Sequence, residues 1–214
     1  MSEIVIHGTP GSPYLRSALL GLEEKGTPYR LNVVGMGEHK QAAHLARHPF
    51  GRIPVLDHGD FRLYETQAIL RYLDAVFPDP PLRPTDAQRL ARMDQIVGIV
   101  DWYLFPQVSA TIGWQRIAVP MRGGTPDEAI IAAALPDARI CIGELARLRG
   151  AGPYMAGDAL SIADLMLVPH IAYFARTPEG QQLLPGTGLD DWLARMESRP
   201  SLRATSPEAL RQAA

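Results

Sequence analysis

A chain of 214 residues, 46% of them hydrophobic, can bury one large core or two smaller ones. Its formal net charge is −2 and it carries no dense lysine or arginine block, which excludes the electrostatic footprint of a nucleic-acid binder. No apolar run is long enough to span a bilayer, and a lone cysteine, Cys141, excludes an intrachain disulfide and fits a reducing compartment.

The opening residues Met1-Ser2-Glu3-Ile4-Val5-Ile6-His7 run from an acidic residue into a β-rich segment, without the basic and long apolar regions of a signal peptide, so a cytoplasmic protein is expected. After Ile4-Val5-Ile6, the residues Leu15, Ala18, Leu19 and Leu22 recur at helical spacing, and Lys25-Gly26 supplies a cation and a left-handed-permissive residue to close that helix. A second strand-like run covers Tyr29 to Val34, which completes a βαβ unit. A connection containing Gly37-Glu38-His39-Lys40 follows. Then Ile53, Val55 and Leu56, the polar turn Asp57-His58-Gly59-Asp60, and Phe61, Leu63 and Tyr64 predict a hairpin. Pro54 is the misfit, because proline removes a ladder donor and belongs on an edge, at a strand start, or where another group approaches the backbone. Ile69, Leu73, Val76 and Phe77 then mark one face of a helix.

The character changes at "FPDPPLRPT". Beyond it Leu90, Met93, Val97, Val100 and Leu104 form one helical stripe, and Ile130, Ile131, Ala134 and Leu135 another, with Pro136 bending or dividing it. The expected architecture is α/β plus all-α: a mixed domain at 1–77, a linker at 78–84 and a helical domain at 85–214.

Chemistry can sit at three places in the first domain. Ser12-Pro13 is an ordinary way to begin a helix, a serine N-cap followed by proline at the first helical position. The same hydroxyl can accept from a backbone N–H while giving its own proton to a thiolate held at the positive helix end. Glu65-Thr66 reads as a hydroxyl N-cap with an acidic neighbour, or as a receiver for an amino-acid head group: helix N–H groups and the Thr66 hydroxyl for a carboxylate, Glu65 for an ammonium. His39-Lys40 reads as a solvated loop unless a second carboxylate lies beside it.

The segments "GTPGSPYLRSALLGLEEKG", "GEHKQAAHLARHPFGRIPVL" and "FRLYETQAILRYL", with "AGDALSIADLMLVP" and "DWLARMESRP" later, resemble the glutathione S-transferases, nearest to the serine-type phi and related bacterial classes. The resemblance covers nearly the whole chain. It implies a thioredoxin-like first domain with a cis Ile53-Pro54 bond that turns the Ile53 backbone toward a peptide ligand. It implies glutathione as co-substrate, no metal, and a transferase that adds the thiolate to a small apolar electrophile. Ser12 matches the position that stabilises the thiolate. His39 and Lys40 match the residues that hold the glycine carboxylate, Ile53 the backbone partner of the cysteinyl unit, and Glu65 and Thr66 the pair on the γ-glutamyl head. Two positions depart from the family pattern: Arg52 stands where Gln or Lys is more usual, and Thr66 where serine is usual. The resemblance also implies a homodimer, with Phe50 of the Pro-Phe-Gly loop as an aromatic key.

The second domain offers less. Ser161-Ile162-Ala163-Asp164 reads as a capping box, with Leu160 and Leu165 placed as its hydrophobic staple. Cys141 reads as core rather than nucleophile. The aromatic side chains of Tyr103, Phe105 and Trp114, with Tyr14 from the first domain, are candidates for the electrophile site, against the plainer reading of helical aromatics as core. Two other functions fit the same fold: a non-catalytic glutathione-binding scaffold, or a glutathione-dependent peroxidase or reductase. A reductase wants a cysteine at the first helix, where this chain has Ser12. A scaffold predicts decay of the ligand residues, and the set from Ser12 to Thr66 is nearly whole.

Overall fold

The computed structural model describes residues 2–213; Met1 and Ala214, the outermost residues of the two expected domains, lie outside it. The described chain divides into two units, one extending to Pro81 and taking in the chain again from Glu197, the other Leu82–Met196.

The first unit is built on β1 (Ile4–Gly8), whose residues are all buried. It pairs in parallel with β2 (Arg30–Val33), His7 opposite Asn32, and antiparallel with β3 (Val55–His58), His7 opposite Val55. The hairpin partner of β3 is β4 (Phe61–Tyr64), with Val55 opposite Tyr64, giving the order β2-β1-β3-β4. These registers place the C-terminal ends of β1, β2 and β4 and the N-terminal end of β3 at one end of the sheet. The loops that leave those ends are therefore neighbours. Pro54 lies one residue ahead of β3, so its missing N–H costs the ladder nothing, and the Ile53-Pro54 bond is cis.

One sheet face packs Ile4, Ile6 and Leu56 against Leu15, Ala18, Leu19 and Leu22 of α1 (Pro13–Glu24) and Ile69 and Leu73 of α3 (Thr66–Val76). The short α2 (Ala42–Leu45) lies between, after a single 3-10 turn at Glu38–Lys40. Val76 departs from the expected stripe: as the last residue of α3 it is exposed, and Leu70 is buried instead. Lys25 departs too. It is not a solvated helix-end cation but a buried one, its Nζ 2.7 Å from Asp74 on α3 and bonded to the Pro80 carbonyl.

In the second unit Asp86 caps α4 (Ala87–Ile99) by accepting from the Arg89 N–H at 2.9 Å. The predicted stripe holds through Met93, Val97, Val100 and Leu104, but from Val100 to Ala118 the helix is π-wound. Pro106 lies inside this stretch, and the Thr111 hydroxyl reaches its carbonyl across five residues at 2.7 Å. A last turn, α5 (Val119–Met121), ends the run. Pro136 neither divides nor ends α6 (Glu128–Arg149), because it and Ala132, whose carbonyl it leaves without a helical donor, face solvent. Ile130, expected in the stripe, is exposed, while Ile131, Ala134, Ala138, Ile142 and Leu145 are buried.

At the centre is α7 (Ile162–Phe174), buried on all sides from Ile162 to Ile171. Its Asp164 carboxylate accepts from the Ser161 N–H and hydroxyl, the Met155 N–H and the Trp192 indole, all within 2.9 Å. Two further helices follow, α8 (Pro178–Leu183) and α9 (Leu189–Glu197). The chain then joins the first unit as α10 (Pro200–Ala204) and α11 (Pro207–Ala213), tied to α1 by a two-pronged Arg199–Glu24 pair at 2.7 Å and by Arg16 donating to the Leu202 carbonyl at 2.8 Å. Among the described residues no helix is long and apolar enough to cross a membrane.

Candidate functional site

The end of the sheet where four loops meet carries every candidate of the first unit except Tyr14. Leaving β1, the chain turns through Thr9-Pro10-Gly11, with Gly11 at φ +99°, and enters α1 with Ser12 as N-cap and Pro13 at the first position. The Ser12 N–H donates to the Thr9 carbonyl at 3.0 Å, and its Oγ accepts from the Leu15 N–H at 3.3 Å. The capping reading of Ser12 is met, and an oxygen that accepts the capping bond still has a proton to give. Tyr14 follows on α1, half-buried.

From β2 the chain reaches the turn that carries His39 and Lys40. Gly37 enters it at φ +84°, and the Glu38 carboxylate accepts from the Gly35 N–H at 2.7 Å. His39 is half-buried, and its pKa is lowered first by burial and then by Lys40, His44 and Arg52. Lys40 is exposed, with its Nζ 3.5 Å from the Phe50 carbonyl. Gly51, at φ +56°, closes this corner: a Cβ there would lie 2.8 Å from the His39 carbonyl oxygen, so no other residue fits without displacing backbone.

Arg52 and Ile53 come next, the former exposed and the latter half-buried. The Arg52 carbonyl is held from the other side by His44, whose Nε2 lies 2.7 Å away. Beyond β4, the structure corrects the cap of α3. The N-cap is Glu65, at φ +70° and ψ 111°, and Thr66 is the first helical residue, 95% removed from solvent. Glu65 is the one non-glycine residue with positive φ among those described. Such a conformation costs on the order of 1–3 kcal/mol and persists only where the surroundings impose it.

The sequence reading missed the side chains beneath this surface. His44 and His48 are buried one helical turn apart, their rings 6.5 Å apart, and His48 stacks on Tyr64 at 4.4 Å. Their four-residue spacing was visible in "HLARH" and is the signal that would have found them. His7, also buried, bonds Asp57 through Nε2 and Asn32 through Nδ1, each at 2.9 Å. Burial lowers its pKa despite the Asp57 carboxylate, and Arg62 in turn braces Asp57 at 2.7 Å.

The aromatic candidates of the second unit fall in three settings. Tyr103 is exposed and lines a cavity of about 420 Å³ with Trp102, Ile99, Ile140 and Cys141. Phe105 is half-buried, edge-on to His170 at 6.0 Å. Trp114 stacks under the Arg122 guanidinium at 4.3 Å. Cys141 is buried and burial pushes its thiol pKa up, the opposite of what a nucleophile needs. No group of three or more metal-ligating side chains occurs among the described residues.

Comparison with known proteins gives this geometry a lineage. Residues 6–81 match the model of the glutathione S-transferase N-terminal domain, and residues 128–204 that of the C-terminal domain. Glutathione S-transferase 4 of Zea mays is 30% identical over 164 residues, 76% of this chain and 73% of its own. Glutathione S-transferase F7 of Arabidopsis thaliana is 27% identical over 210 residues, 95% of this chain and 99% of its own. Among solved structures, the theta class glutathione S-transferase of Xanthomonas axonopodis pv. citri with glutathione bound superimposes with a TM-score of 0.84 at 29% identity, covering 96% of this chain and 97% of that one. With both of its domains matched in order and a thioredoxin-like sheet followed by a helical unit, the chain belongs to the glutathione S-transferase family.

Proposed function

We propose that the chain binds glutathione at the shared end of the sheet, stabilises its thiolate with Ser12, and adds it to a small apolar electrophile. The observation that carries this reading is the convergence there of Ser12, His39, Lys40, Arg52, Ile53, Glu65 and Thr66 on loops from four adjacent strands. A free thiol has a pKa near 8.5, and lowering it by about two units takes roughly 2.7 kcal/mol. A hydrogen bond to a charged acceptor is worth roughly 1.5–3 kcal/mol and a helix N-terminus roughly 0.3–1 more, so the hydroxyl and the α1 dipole together suffice. Ser12 itself does not ionise. It donates a bond that is stronger to S⁻ than to SH, and the rest of the site holds a positioned nucleophile for its second substrate.

In this reading His39 and Lys40 receive the glycine carboxylate, Arg52 adds donors beside it, and the Ile53 backbone pairs with the cysteinyl unit. Glu65 takes the γ-glutamyl ammonium, and Thr66 with the first α3 N–H groups takes its carboxylate. Tyr14, Tyr103, Phe105 and Trp114 are the proposed contacts of the electrophile. The protein works in the cytoplasm as a homodimer, with exposed Phe50 of one copy entering the helical unit of the other. The test is retention on immobilised glutathione, followed by conjugation assays with an aryl halide and an isothiocyanate, with a hydroperoxide for the peroxidase alternative. Retention with conjugation supports the reading. Retention without turnover of any of the three favours the scaffold, and failure to retain overturns glutathione binding.

A further inference from the structure

The proposed glutathione site is assembled from separate loops, and single hydrogen bonds tie them together, Thr9 Oγ1 to the Val34 carbonyl at 2.6 Å and Lys40 Nζ to the Phe50 carbonyl at 3.5 Å. His44 donates from Nε2 to the Arg52 carbonyl at 2.7 Å, and that carbonyl belongs to the peptide joining Arg52 to Ile53, the proposed backbone partner of the cysteinyl unit. One turn further on, the His48 ring lies nearly parallel to that of His44, at 21°. On its way to β4 the stack continues: His48 and Tyr64 are 4.4 Å apart at 27°. Tyr64 is the residue immediately before strained Glu65.

Resting on the transferase reading above, we infer that the His44–His48–Tyr64 stack is a positioning device, which holds the Arg52-Ile53 backbone in register with Glu65 across the ligand. Two different properties of the rings do the work. His44 acts through its nitrogen, as the donor to Arg52. His48 acts through its face: it is 2% exposed, and its Nδ1 has no hydrogen-bond partner among the described residues. Burial, with His44, Arg52 and Lys40 close by, also lowers the His48 pKa, which suits a ring used as an uncharged spacer.

The distinction sets the experiment. Glutathione affinity by calorimetry and steady-state kinetics are measured for wild type, His44→Phe, His44→Gln, His48→Ala and His48→Phe, with folding followed by circular dichroism. His44→Phe keeps a ring but loses the donor, and it should raise both Kd and KM for glutathione about tenfold with kcat at saturating glutathione unchanged, the scale of one lost hydrogen bond. His44→Gln, which restores an N–H donor, should recover most of that loss. His48→Ala should weaken glutathione similarly, and His48→Phe should bind like wild type. Wild-type affinity in His44→Phe, no recovery in His44→Gln, or equal losses in the two His48 variants would overturn the proposal. If His44→Phe does not fold, the His48 pair and His44→Gln still decide it. A wild type that fails to bind glutathione overturns the transferase reading itself, a result these variants cannot produce.

Discussion

Ser12 Oγ stands 3.3 Å from the amide nitrogen of Leu15, accepting the capping bond of α1 from a half-buried position at the mouth of the loop. The oxygen is thus occupied as an acceptor and its proton is available to sulfur. Ser12→Ala should leave a folded protein that still binds glutathione but with a clearly higher thiol pKa in the complex. The ultraviolet absorbance of bound thiolate, titrated with pH, reads this directly. Loss of the cap should also lower stability by about 1 kcal/mol, seen separately in thermal melts. An unchanged titration midpoint would confine Ser12 to capping.

Glu65 separates binding from stability in the opposite sense. Its φ of +70° is one that glycine adopts freely. Glu65→Gly should therefore stabilise the fold by about 1 kcal/mol while weakening glutathione binding. Thr66→Ala should weaken binding more than Lys40→Ala or Glu65→Ala, because Thr66 is buried whereas Lys40 and Glu65 are both exposed, where an ion pair is worth roughly 0.2–1 kcal/mol. Calorimetry ranks the variants. A Lys40→Ala protein that binds worst would move the dominant contact to the His39-Lys40 turn.

Phe50 is 69% exposed although its ring edge touches His48 and Tyr64 at 6.1 and 6.4 Å. An aromatic ring left open to that extent is a candidate anchor for a second copy. Truncating such an anchor commonly costs 2 kcal/mol or more, about thirtyfold in dissociation. Sedimentation of Phe50→Ala at low micromolar concentration should show a shift toward monomer relative to wild type. Dimers of equal affinity would assign the ring elsewhere.

Acid should destabilise the fold earlier than carboxylate titration alone explains. Burial lowers the pKa of His7, His39 and His48, and takes His170, wholly enclosed and 2.7 Å from the Ser109 hydroxyl, to about 3. The unfolded chain protonates histidine near 6.5, so stability is full above that pH and is lost as pH falls through it. For His170 the cost is about 1.4 kcal/mol per pH unit until its folded pKa is reached. Asp164 works the other way, since burial raises its carboxyl, and so the comparison must isolate one residue. Urea unfolding of wild type and His170→Gln between pH 6 and 4 should give a slope shallower in the variant by about one proton's worth. Equal slopes would mean that His170 is charged in the folded protein.

Local chemistry in the sequence determined the strands, the hairpin, the Ser12-Pro13 helix start and the Ser161-Asp164 cap, because periodicity and capping are short-range signals carried by neighbouring residues. The family pattern spread over "GTPGSPY", "GEHK", "RIPVL" and "YET" likewise marks the residues proposed to hold the ligand. Tertiary structure decided what depends on which surface meets which. Lys25 looked like a helix-end cation, yet Asp74, forty-nine residues away, makes it a buried ion pair. Thr66 looked like the cap of α3 until the backbone turned at Glu65, a dihedral that residue types do not specify. The C-terminal helices carry no pattern naming the core they join; the Arg199–Glu24 pair, spanning 175 positions, assigns them to the first unit. His48 reads as one more loop histidine in the sequence, and only the arrival of Tyr64 from the adjoining hairpin makes its ring part of a stack.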